Sequence, residues 1–175
     1  RSAANAVNFG IVYGISDFGL ARQLGISRKE AARYIELYFM RYPGVHTYLK
    51  GCVERAKQQG AATTLFGRRR EMPELKSSNY NTRSFGERVA MNMPIQGTAA
   101  DIIKLAMVRV HNELKARGMK SELILQIHDE LIIDAVQEEA DAAAEILKSC
   151  MENVVNLKVP LLAEVHTGHS WFDTK

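Results

Sequence analysis

The stretch "ELILQIHDELIIDAV", residues 122–136, decides the fold. Two apolar, β-favouring runs, residues 123–127 and 131–133, flank a polar centre of His128, Asp129 and Glu130, which is the pattern of an antiparallel hairpin. The centre lacks the Asn-Gly or Asp-Gly pair common in two-residue hairpins. Downstream, "EEADAAAEILKSCMENVV" has helical spacing with acids in its first turn, and "PLLAEVHTG" reads as a final strand. A small antiparallel sheet beside helices makes the class α+β.

Upstream the pattern is helical. The opening helix runs to about Tyr13 and stops at Gly14. "SRKE" then predicts a capping box between Ser27 and Glu30, followed by a long helix broken at Pro43-Gly44 and resumed from about Val45 to Gln59. "AATTLFGRRREMP" reads as a short strand or hairpin with Arg68, Arg69 and Arg70 at its turn, and "KSSNYNTRS" as a polar loop. Helical spacing returns over residues 85–117, and Pro94 is expected to kink or split it because it lacks an amide hydrogen. The composition divides a mainly helical, basic part, residues 1–84, from an α+β part, residues 85–175.

Charge sharpens that division. Residues 1–100 hold 15 Lys and Arg against 7 Asp and Glu, net +8, while residues 101–175 hold 8 against 13, net −5. Such asymmetry fits either a polyanionic partner or a solvated basic face. No run of 18 apolar residues and no basic segment followed by an apolar h-region is present, so neither a membrane span nor a signal peptide is indicated. Cys52 and Cys150 lack partner spacing and read as free thiols in a reducing compartment, and His166 with His169 lacks the further ligands that zinc needs.

Three stretches can carry chemistry. In "RSAANAVNFGIVYG", Arg1, Asn5, Phe9 and Tyr13 recur every four residues and share one helix face, with Gly10 and Gly14 set into it. Glycine costs a helix about 1 kcal/mol relative to alanine, which implies something bulky close to this backbone, a flat ring or another helix. The plainer alternative is a packed helix with two core aromatics. In "ERVAMNMPIQGTAADIIK", Arg88, Asn92 and Gln96 place a cation and two amides on a similar row; these groups bond to base edges and sugars, though exposed polar faces are common. At the hairpin centre, Asp129 and Glu130 could offer oxygen ligands to a divalent cation or stand as ordinary turn residues in water.

Together, in this order, the three stretches resemble the C-terminal part of family A DNA polymerases, of the bacterial DNA polymerase I type. The opening helix is similar to the fingers-helix pattern R-x3-K-x3-F-G-x2-Y-G, "ERVAMNMPIQGTAADIIK" to the primer-template segment, and "QIHDEL" to the palm motif that ends in the catalytic carboxylate. "DFGLARQLGISRKEA", "YPGV" and "VPLLAEVHTGHSW" extend the resemblance over essentially the whole chain.

The resemblance implies a helical fingers subdomain in residues 1–84 and part of a palm with a small antiparallel sheet in residues 85–175. It implies Phe9 and Tyr13 beside the base and sugar of an incoming dNTP, Arg1 on its phosphates, and Asn5 on the same nucleotide-facing stripe. The glycines would leave room for that approach. Arg88, Asn92, Gln96 and Gln126 would contact primer-template DNA, and His128 would order the primer end or triphosphate. Asp129 would ligate two Mg²⁺ ions, with Glu130 supporting the site. The reaction implied is two-metal phosphoryl transfer to a primer 3′-hydroxyl, in replication and repair, in the cytoplasm at the bacterial nucleoid.

Two departures qualify this. The family's first metal-binding aspartate belongs upstream of the fingers helix, so the implied partners include an upstream remainder of the polymerase, and the chain alone is expected to be inactive. Asn5 stands where the family pattern has lysine, and an amide carries neither charge nor a labile proton. That substitution leaves a second expectation: a catalytically dead nucleic-acid-binding module derived from such a polymerase.

Overall fold

The computed structural model describes residues 2–174. They form six α-helices and two two-stranded antiparallel sheets, in accord with the α+β expectation. The chain divides into two compact units, residues 1–98 and 99–175.

In the first unit, helices α1 (Ser2–Val12), α2 (Asp17–Leu24) and α3 (Arg28–Arg41) pack around Leu20, Ala21 and Ala31, joined by Val7, Ile15 and Ile35. Local chemistry sets their ends. Ser16 Oγ accepts from Gly19 N and starts α2. Ser27 Oγ accepts from Glu30 N at 3.2 Å while Glu30 Oε2 accepts from Ser27 N at 3.0 Å, the expected capping box. The break before α4 (Pro43–Gln59) is shorter than the sequence suggests. Tyr42 alone separates the helices, because proline is well suited to the first helical position, where no amide hydrogen is needed.

Strands β1 (Ala61–Thr63) and β2 (Arg69–Glu71) pair with Ala62 opposite Arg70. Arg69 and Arg70 therefore lie in a strand, not at the turn, which residues 64–68 form. The turn closes on Thr64, whose Oγ1 accepts from Phe66 N and Arg68 N. Leu65 N donates to Thr98 Oγ1 at 2.9 Å, and that hydroxyl in turn donates to Pro94 O. A second core gathers Val53, Ala56, Ala62, Met72, Leu75 and Ala90.

Helix α5 (Tyr80–Ala116) contributes to both units and begins five residues earlier than the hydrophobic spacing alone indicates. Asn79 Oδ1 accepts from Asn81 N and Thr82 N, so an asparagine in the polar "KSSNYNTRS" segment starts the helix. Pro94 lies inside it without splitting it. Proline removes one donor and leaves the other backbone bonds of a long helix in place.

The second unit packs Ile103, Ala106, Val110 and Leu114 of α5, at helical spacing, against Leu131 and against Ala143 and Ile146 of α6 (Ala140–Glu152). Strands β3 (Glu122–Ile127) and β4 (Glu130–Asp134) are the predicted hairpin, with Ile127 opposite Glu130. The predicted final strand is absent among the described residues. Leu161 packs on the core and Ala163 N donates to Glu152 Oε1, but residues 160–168 join neither two-stranded sheet and form no ladder.

Candidate functional site

The C-terminal end of α1 and the α5 segment up to Thr98 meet within the first unit. There Phe9, Tyr13, Ile15, Ser16, Gln23 and Arg88 line a cleft of about 530 Å³. Phe9 is 64% and Tyr13 50% exposed, so the two rings serve the surface and not the core, which removes the plainer reading of the stripe. Asn5 is exposed on the same helix, and Arg1 lies outside the described residues. Gln96 Nε2 donates to Tyr13 Oη at 2.5 Å, across 83 positions of sequence. Arg88 Nη1 donates to Ser84 Oγ. The Asn92 Nδ2 atom is buried without a hydrogen-bond partner, a donor available to an acceptor that reaches it.

The glycines answer to the protein itself. A Cβ on Gly10 would lie 2.8 Å from Ile15 Cγ2, so this glycine admits the chain's own next turn. Gly14 has φ 67°, and a Cβ there would come within 2.6 Å of Met91 Cε and 2.9 Å of Arg88 Cγ. At Gly14 the bulky neighbour is another helix, α5. Ser16 and Gln23 escaped the sequence reading because a helix cap and a glutamine in "LARQL" give no local sign of lining a cleft.

In the second unit His128 and Asp129 form the two-residue turn between β3 and β4, and both are exposed. His128 takes φ 51°, the left-handed conformation that the missing Asn-Gly would have supplied. The Gln126 side chain stabilises it by donating from Nε2 to His128 O at 2.8 Å. Gln126, expected on DNA, thus has a partner within its own hairpin. Glu130 opens β4, and its Oε2 accepts from Trp171 Nε1 at 3.3 Å. Adjacent, exposed carboxylates suit a hard divalent cation in kind. In number they fall short, since no three His, Cys, Asp or Glu side chains are gathered to hold a metal among the described residues.

Other ionisable groups serve the fold. Arg28 beside Asp17 holds that carboxyl below its ordinary value. Hydrogen bonds from the Ser121 hydroxyl and from the amides of Lys120 and Ser121 do the same for Glu139. Burial raises the Cys150 thiol, and Cys52 and Cys150 are both free. No helix among the described residues is long and apolar enough to cross a membrane.

Comparison with known proteins bears directly on this arrangement. The family model described as DNA polymerase family A matches residues 1–173. The chain belongs to DNA polymerase family A. This family A chain is 57% identical to DNA polymerase I of Caldicellulosiruptor bescii over all 175 residues, which make up 21% of that protein. It is 53% identical to DNA polymerase I of Bacillus caldotenax, again over its whole length and over 20% of the relative. It therefore spans about a fifth of the length of these curated relatives. A solved structure, the POL domain of Pol1 from M. smegmatis in complex with DNA primer-template and dNTP, superposes with a TM-score of 0.96 at 43% identity. That match covers 99% of this family A chain and 31% of the other.

Proposed function

We propose that this chain serves as the fingers and the C-terminal portion of the palm of a template-directed DNA polymerase, which adds dNTPs to a primer 3′-hydroxyl. Residues 1–84 act as fingers and residues 85–175 as palm, working with an upstream part of the polymerase in the bacterial cytoplasm at the nucleoid. The observation that carries this reading is the bond between Tyr13 and Gln96, which ties the nucleotide-facing helix to the primer-template helix at one cleft. Phe9 and Tyr13 offer flat apolar faces to a base and sugar, Arg88 a cation, and Asn92 an unused donor. Arg1, on the same stripe, meets the phosphates.

Asp129 would hold Mg²⁺, with Glu130 supporting it and His128 ordering the primer end or triphosphate. Two bound Mg²⁺ ions would supply activation of the 3′-hydroxyl and charge stabilisation at the triphosphate. The chain's own contribution is to bind, orient and present one cluster of oxygen ligands. Asn5, in place of lysine, favours a second reading, a nucleic-acid-binding module without turnover. Single-nucleotide incorporation by the complete polymerase, with and without Asp129→Asn, separates the two. The polymerase reading expects turnover to fall by at least about a hundredfold with DNA affinity retained. No incorporation by an unsubstituted polymerase that still binds primer-template would favour the binding module instead.

A further inference from the structure

The carboxylate next in sequence to Asp129 is held from far along the chain. Glu130 Oε2 accepts from the indole Nε1 of Trp171, 41 residues away. Trp171 does not sit on a loose end. It opens a 3₁₀ turn, Trp171–Thr174, in which Ser170 Oγ donates to Asp173 Oδ2 at 2.7 Å and Asp173 N donates to Ser170 O at 3.0 Å. Thr174 Oγ1 donates to Trp171 O at 2.8 Å. The approach is equally confined, since a Cβ on Gly168 would lie 2.8 Å from Asp173 Cβ. At the other end of the turn Gln126 holds His128 O.

The geometry points to Trp171 as a positioning residue for the acidic turn. Its N–H occupies one lone pair of Glu130 and fixes the direction of that carboxylate, so that Asp129 and the second Glu130 oxygen are presented together to a divalent cation. Indole is a donor only, so it bonds one carboxylate oxygen and leaves the lone pairs of the other free for a cation. Partners that orient ligating groups commonly change metal affinity or activity about 10–100-fold. A bond of 3.3 Å at a side chain that is 40% exposed belongs at or below the low end of that range, about three- to tenfold. This role rests on the polymerase reading above.

Trp171 is the only tryptophan in the sequence, so a ¹⁵N-labelled chain gives a single indole N–H signal, apart from its backbone amides. In the 175-residue chain, Glu130→Ala is expected to shift that signal and to speed its exchange with water at least about threefold, while Asp129→Asn leaves both unchanged. An indole signal indifferent to Glu130→Ala overturns the contact. In the complete polymerase, Trp171→Phe keeps an aromatic ring and removes the donor. The Mg²⁺ concentration for half-maximal single-turnover incorporation is then expected to rise about three- to tenfold, with primer-template affinity unchanged. Equal Mg²⁺ dependence in an active polymerase overturns the positioning role alone. A complete polymerase that extends no primer overturns the polymerase reading and this role with it.

Discussion

The cleft of the first unit draws its walls from helices packed against one another, whereas the acidic turn of the second unit is two residues of backbone standing in solvent. Rings, an amide and a guanidinium can be collected on helix faces within one compact unit, because each is satisfied by local packing and one or two hydrogen bonds. Carboxylates that share a metal repel one another and must arrive from separate backbone segments, with the cation to offset their charge. By this contrast the residues of the proposed binding surface are gathered within one compact unit, whereas the two exposed carboxylates at the turn are not joined by a third ligand among the described residues.

The largest effect tests that contrast directly. The isolated 175-residue chain should extend no primer with Mg²⁺ or Mn²⁺, because one carboxylate cluster cannot hold two ions about 4 Å apart. Template-dependent incorporation by the pure chain would mean that its own carboxylates suffice for the chemistry. Next, in the complete polymerase, Asn5→Lys should raise single-turnover incorporation at least about a hundredfold and leave DNA affinity nearly unchanged. Equal rates would assign the cation's work on this face to Arg1 or another residue.

A smaller effect concerns the first unit alone. DNA binding by the isolated chain should weaken about tenfold or more as salt rises from about 50 to about 200 mM, measured by fluorescence anisotropy. A salt-insensitive affinity would make the basic part a merely solvated face. Gly14→Ala should destabilise the chain by roughly 1–2 kcal/mol in urea unfolding, because alanine must take the left-handed backbone beside Arg88 and Met91.

The smallest effect belongs to the second unit. Glu139→Ala should lower the melting temperature at pH 7, and the deficit should shrink with acidification. The folded-state value of Glu139 lies below its ordinary 4.5, so its contribution is present above that pH and fades as pH falls through the lower, folded value. A deficit independent of pH would mean that the carboxylate charge plays no part in holding Lys120 and Ser121.

Much of this was legible because it is local. The Ser27–Glu30 box is spaced by one helical turn, and the 122–136 hairpin declares itself by two apolar runs across a short gap. The segment "PLLAEVHTG" has apolar spacing that fits an extended chain, but it joins no ladder, and spacing alone does not show whether a partner strand pairs with it. Pro94 does not split α5, since one missing donor does not end a helix of 37 residues. At the candidate site the residue types were readable, but their partners were not. Tyr13 with Gln96, and Glu130 with Trp171, are bonded over 83 and 41 positions, and neither pair has a spacing that marks it. Gln126, whose type suits a base edge, also bonds a carbonyl two residues away, a local contact that the residue type alone does not announce.

The bond from Leu65 N to Thr98 Oγ1 also makes one backbone proton a clock. Leu65 is exposed at the tip of a hairpin whose strands are only three residues long, a place where amide hydrogens ordinarily pass to solvent quickly. Its protection depends on a side chain that reaches it from α5. Hydrogen exchange at that single position therefore reports how often the hairpin tip lifts from the helix, separately from the unfolding of either.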